Sequence, residues 1–285
     1  GGGRPAAGPG LGDRGATERV PARPRTAVSV ASPHHGTPLA NHFASVQGQT
    51  LLLLLSGLAT SSQGRGTVVA AARALSAVAR LDDWFGRPEG PLDRVAEQLL
   101  RHVRFDRSDP LWRYLGQIER DQGAVLQLTP EGGELFDAAV ADRPGVDYGC
   151  LVAGVPRPRE RLASKDLLDP EYVALRALFR LLHALTGRPH PRYPCPAPSA
   201  ETRRRLDRTL GFKVTASTND GVVPTLSQLH GRVLHVARAD HLDVVGHYTL
   251  AGGRTADWLP SGAGFTPEGF DAAWDAVAAA IARTA

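Results

Sequence analysis

Hydrophobic positions along the chain follow two rhythms. Short, mainly apolar runs mark strands: Ala27-Val28-Ser29-Val30-Ala31, bounded by Pro24 and Pro33; Val146–Ala153, which carries Tyr148; and Gly231–Ala237, with Val233, Leu234, His235 and Val236. A further short strand is expected at Phe212–Ala216. Elsewhere the apolar residues recur every three to four positions, as on the buried stripe of a surface-packed helix. Thr67–Leu81 does so through Val68, Ala71, Ala72, Leu75, Val78 and Ala79, and Leu92–Val103 through Leu92, Val95, Ala96, Leu99, Leu100 and Val103. Thr129-Pro130-Glu131 supplies a capping hydroxyl, a proline at the first position and an acid in the first turn, and so starts a helix that ends before Arg143-Pro144-Gly145. Pro170–Leu185 is helical up to Gly187 and Pro189. Pro267–Ile281 closes the chain as an alanine-rich helix with Phe270, Ala273, Trp274, Val277 and Ile281 on its apolar stripe. Between these two helices, residues 188–200 hold five prolines and read as an extended loop.

Strands alternating with helices predict an α/β protein, with a mostly parallel sheet flanked by helices. The helical block at 46–141, between the first two strands, is too long for a simple crossover. It reads as an inserted helical cap over a pocket. Residues 1–25, rich in Gly, Pro, Arg and Ala without apolar periodicity, form an irregular leader, and residues 26–285 form one domain.

Composition narrows the picture only a little. The 285 residues are 42% hydrophobic, enough to bury a core without disulfide staples, and the two cysteines, Cys150 and Cys195, lack metal-site spacing. The net charge is +4, carried almost wholly by arginine, since Lys165 and Lys213 are the only lysines. Acids are interleaved with the arginines and no long basic run appears, which argues against a nucleic-acid partner. The longest apolar run, Leu51–Ala59, is too short to span a bilayer. The chain contains no methionine and opens Gly-Gly-Gly-Arg-Pro without the apolar core of a signal peptide. The expectation is a chain cut from a longer protein, and its compartment stays open.

The candidate chemistry lies late in the chain. Asp220 sits in the turn sequence Asn219-Asp220-Gly221, and His241 follows a strand. Either residue alone is ordinary, a turn aspartate and a loop histidine. Together, at the carboxyl ends of adjacent strands, a carboxylate can accept from one imidazole nitrogen and leave the other to take a proton from a serine. The order acid then histidine near a chain's end is that of the α/β-hydrolase triad.

Three ordered segments carry a resemblance: Ser32-Pro33-His34-His35-Gly36-Thr37-Pro38-Leu39-Ala40; Asn219-Asp220-Gly221-Val222-Val223 followed by Gly231–Leu234; and His241-Leu242-Asp243. With Leu128–Glu131 and Val146–Tyr148 adding weaker matches, the span from about residue 26 to 250 resembles secreted bacterial triacylglycerol lipases. The resemblance implies the carboxyl-terminal part of an α/β-hydrolase fold with a helical cap over an apolar acyl pocket. It implies Asp220 as triad acid and His241 as triad base. It also implies an apolar ester or acylglycerol substrate, and secretion. His34 and His35 would lie near the active-site face, as loop structure held by Pro33, Gly36 and Pro38 rather than as catalytic or zinc-binding groups. Asp243 matches a position where some of these lipases bind structural calcium. His247 stands where they place an oxygen-bearing side chain, and the sequence shows no second acidic partner, so the expectation leans against calcium. No other cofactor is expected.

The nucleophile is missing. The family's serine lies in G-x-S-x-G on a strand-to-helix turn, and no such motif occurs here. Residues 1–28 contain neither serine nor cysteine, and Ser29 and Ser32 are not on an elbow. The serine is therefore expected either upstream of residue 1, with the oxyanion donors, or lost, and these residues alone are expected to be inactive. Two functions remain open: a lipase- or esterase-type serine hydrolase, and a non-catalytic relative that binds without turnover. Lipase, esterase, thioesterase and polyester depolymerase share this scaffold, and fold does not choose among them.

Overall fold

The computed structural model describes residues 24–43, 123–158, 170–248, 257 and 259–283. The helices expected at 67–81 and 92–103, with most of the block 46–141, lie outside these residues.

Three strands, β1 (Thr26–Val30), β2 (Asp147–Ala153) and β3 (Arg232–Ala237), form one parallel sheet in the order β1-β2-β3. The central strand is apolar over its whole second half because both of its faces are covered. Leu151 and Ala153 point to one side, where Ala273 and Val277 of the last helix pack against them together with Ala237 and Ala239. Cys150 and Val152 point to the other side, against Leu206, Leu210, Val214 and Leu226. Side chains alternating on a pleat produce this split, and a helix on each face is what allows a continuous apolar run in a parallel strand. The α/β class read from the sequence is thus the architecture observed, a small parallel sheet between helical layers.

Six helices are described: α1 (Pro38–Phe43), α2 (Gly123–Gln127), α3 (Pro130–Ala139), α4 (Pro170–Thr186), α5 (Ala200–Leu210) and α6 (Pro267–Ala282). Helix α3 begins as the sequence dictates, with the Thr129 hydroxyl accepting from the Gly132 N–H at 3.0 Å and Pro130 at the first position. On α6 the buried stripe is Ala273, Val277 and Ala280, while Trp274 and Ile281 are exposed. A third apolar cluster joins Leu39 of α1 to Leu178, Phe179 and Leu182 of α4 and to Val155, just past the end of β2.

Between α4 and β3 the expected loop at 188–200 is present up to Ser199, and one expectation is corrected. The loop leads into α5, which the sequence pattern above does not include, capped by the Ser199 side chain on the Thr202 N–H at 3.1 Å and stopped by Gly211 at φ 76°. Phe212–Ala216 is not a strand. The Val214 N–H donates to the Asp207 carboxylate at 2.7 Å and its carbonyl accepts from Arg203 at 2.8 Å, so side chains of α5 satisfy a backbone that a ladder would otherwise claim.

Candidate active site

Asp220 is held by a turn, not by a strand end. Asn219 bridges Val155 and Pro224 in isolated antiparallel pairs, which hangs the turn just beyond the carboxyl end of β2. The Asn219 amide donates to the carbonyls of His183 (3.1 Å) and Ser217 (2.9 Å), and its oxygen accepts the Gly221 N–H at 2.8 Å. Gly221 adopts φ +98°, and a Cβ there would lie 2.7 Å from the Phe179 ring, so both backbone and space demand glycine. The turn folds back until Asp220 Oδ1 accepts from the N–H groups of Val222 (2.9 Å) and Val223 (2.7 Å). Short polar side chains capture nearby backbone donors in this way, and here the capture fixes a carboxylate that is entirely buried.

His241 arrives from the end of β3. Its N–H donates to the Asp220 carbonyl at 2.9 Å, and its ring Nδ1 lies 2.9 Å from Asp220 Oδ2. A carboxylate only accepts, so Nδ1 carries the proton and Nε2 of the neutral ring is an acceptor. The imidazole keeps 29% of its surface exposed while the carboxylate behind it keeps none. Burial of the ring works against its charged form, yet the Asp220 charge and hydrogen bond, with the Asp240 charge, outweigh burial and hold the imidazole above its ordinary value. Sequence order brought these two residues forward together, and the fold places them in contact.

Gln228 was not singled out by its sequence context. It is fully buried on the 3-10 turn Thr225–Gln228, and its amide nitrogen donates to Asp220 Oδ2 at 3.0 Å. No motif marks a glutamine eight positions after a turn aspartate.

The segment 32–40 is stitched to the same region. The Ser227 hydroxyl donates to the Gly36 carbonyl at 2.6 Å, the Thr37 hydroxyl donates to the Val222 carbonyl at 2.6 Å, and the Thr37 N–H donates to Leu128 O at 2.8 Å. His34 stacks on His230 with ring centroids 4.5 Å apart, and burial, then the neighbouring His230, push it down to about 4. His35 Nδ1 lies 2.9 Å from Asp137 on α3. His34 Nε2 is buried with no hydrogen-bond partner.

A carboxylate cluster follows His241. Ligand oxygens of Asp240, Asp243 and Asp257 lie within 4.8 Å of one another, so the expectation that Asp243 lacks an acidic partner is corrected. Sequence spacing hid Asp257, because only the fold brings it back to the loop. The Asp243 carboxylate accepts the Asp240 N–H at 2.8 Å, and Asp240 Oδ1 accepts the N–H groups of Leu242 (3.0 Å) and Asp243 (3.1 Å). Asp240 Oδ2 is buried with no hydrogen-bond partner. Burial pushes the Asp240 carboxyl up to about 6, and burial with the Asp240 charge pushes Asp243 up to about 9. Hard oxygen donors with one orphaned lone pair fit a calcium-type cation.

Comparison of the chain with protein-family models and with curated proteins finds no match.

Proposed function

We propose that the chain is the carboxyl-terminal part of an α/β-hydrolase that cleaves carboxylic esters by a lipase- or esterase-type acyl-enzyme route. The observation that carries this reading is the Asp220–His241 contact of 2.9 Å, with the acid fully buried and the imidazole partly exposed. In the reading, a serine hydroxyl attacks the ester carbonyl as His241 Nε2 takes its proton. The same nitrogen returns the proton to the leaving alcohol, and water then releases the acyl group by the reverse sequence. Asp220 keeps the ring in the Nδ1–H form and stabilises the imidazolium. With no G-x-S-x-G motif in the sequence, the reading assigns the nucleophile to a segment of the parent protein preceding residue 1.

An apolar substrate is supported by the described part of the block 46–141, where Leu126, Leu135, Phe136 and Val140 are exposed on and beside α2 and α3. The reading also assigns Asp243, with Asp240 and Asp257, to a structural calcium ion that would steady the loop carrying His241 rather than take part in the reaction. Among the described residues no helix is long and apolar enough to cross a membrane.

The experiment is a fluorophosphonate probe and a chromogenic short-chain ester applied to the parent protein. Labelling of a serine before residue 1, with turnover abolished by His241→Ala, is the expected result. Turnover that survives His241→Ala removes the reading. Retention of an apolar ester with no labelling and no turnover places the chain among non-catalytic relatives instead.

A further inference from the structure

We infer that Gln228 is a positioning residue that sets the plane of the Asp220 carboxylate and thereby the tautomer of His241; this rests on the proposed role of that pair. Asp220 Oδ1 is pinned by two backbone N–H groups. Two donors on one oxygen leave the carboxylate free to swing its other oxygen about that anchor. Oδ2 is the oxygen that meets His241, and the Gln228 amide nitrogen is the second donor that reaches it, at 3.0 Å. Gln228 thus stops the swing and occupies the lone pair that His241 does not use.

The orientation of the amide is fixed by chemistry. Its oxygen accepts the Ala153 N–H at 2.6 Å, and its nitrogen faces Asp220 Oδ2 and, at 3.3 Å, the Val223 carbonyl. Flipping the amide would set oxygen against a carboxylate and NH2 against an N–H, so one arrangement satisfies every group.

The turn that carries Gln228 is itself anchored. The Thr225 hydroxyl donates to the Ala153 carbonyl at 3.1 Å while Gln228 takes the Ala153 N–H, so both polar groups of the last residue of β2 hold this turn. Thr225, Ser227 and Gln228 are all fully buried. Gln228 therefore ties the acid of the pair to the central strand of the sheet.

The test is nitrogen NMR of the full chain labelled at histidine, read above the imidazole's titration range, with His241 assigned by the signal lost in His241→Asn. The unsubstituted chain should show the Nδ1–H tautomer. Gln228→Leu removes all three hydrogen bonds of the amide, the one to Asp220 among them, and should shift the Nδ1–H to Nε2–H ratio by about tenfold, the scale of one hydrogen bond to a charged group. Gln228→Glu keeps the size and an acceptor for Ala153 while setting a carboxyl oxygen against Asp220, and should shift the ratio in the same direction. It decides the matter where Gln228→Leu does not fold. A folded variant with a lower melting temperature and an unchanged ratio overturns the inference and leaves the Asp220–His241 pair standing. Absence of the Nδ1–H form in the unsubstituted chain removes the pair's assignment and this inference together.

Discussion

His241 and Asp220 meet twice. The backbone N–H of His241 donates to the Asp220 carbonyl at 2.9 Å, and the His241 ring meets the Asp220 carboxylate at the same distance. A surface ion pair between two long side chains costs entropy to hold in one geometry. Here the main chains are already joined, so the side chains meet at little further cost.

Replacing Asp220 separates its two duties. Asp220→Asn keeps an acceptor for the Val222 and Val223 N–H groups but no longer favours the Nδ1–H tautomer or the imidazolium. On the proposed reading it should lower kcat of the parent protein by about 10⁴-fold, and its NH2, facing the buried Gln228 NH2, should lower the melting temperature, though less than Asp220→Ala does. Asp220→Ala strands the buried donors of Val222, Val223 and Gln228, and should cost more than about 3 kcal/mol in urea unfolding. Esterase rates and urea midpoints of the two variants check both halves. Equal losses of stability would place Asp220 in a purely electrostatic role.

The carboxylate cluster gives a binding prediction. Three acids with one orphaned oxygen repel one another until a proton or a cation joins them. Calcium at about a hundred times its dissociation constant should stabilise the chain by about 2.7 kcal/mol, and Asp243→Asn should abolish that gain. Thermal unfolding with calcium and with a chelator measures it, with magnesium as the control. An equal response to magnesium would argue for charge screening rather than a shaped site.

Much of this region was legible in the chain, and the rest was hidden for identifiable reasons. Strand β2 announced itself as an apolar run because it is covered on both faces, and α3 through Thr129-Pro130-Glu131, because caps are local. Asp220 and His241 were legible as a pair because each stands beside strong local punctuation. Helix α5 was overlooked although Ser199, Glu201, Leu206, Leu210 and Gly211 spell a cap, an acidic first turn, an i to i+4 pair and a stop. The loop the prolines predict ends at Ser199, and the helix begins at the next residue. Gln228 and Asp257 were illegible for a different reason, since their importance comes from tertiary contact and neither type nor spacing reveals it.

Burial of His183 predicts acid sensitivity. The ring is 8% exposed at the end of α4, its Nε2 has no hydrogen-bond partner, and burial pushes it down to about 4 from 6.5. Between those two pH values the unfolded chain binds a proton that the native ring refuses. Its contribution is therefore complete above about pH 6.5 and is lost as pH falls towards 4, a loss of roughly 3 kcal/mol from this residue. His183→Gln should flatten the fall in urea midpoint between about pH 7 and about pH 5 relative to the unsubstituted chain. Parallel curves for the two proteins would show that other groups govern the acid limb.

Gly221 offers a test of how the turn holds the acid. Alanine at φ +98° carries a backbone penalty of about 1–2 kcal/mol, and its Cβ would stand 2.7 Å from the buried Phe179 ring. Phe179 is fully buried among Leu39, Leu178 and Leu182, so the ring or the turn must shift against packed neighbours. Gly221→Ala should therefore cost more stability than the backbone term alone. Phe179→Leu, destabilising by itself, should recover the steric part of that cost in the double variant but not the backbone part. Four urea denaturation curves give the cycle, and a coupling of about 1 kcal/mol or more with a residual penalty is the expected outcome. Strict additivity would mean that the ring does not confine the turn, and that Asp220 is held by its hydrogen bonds alone.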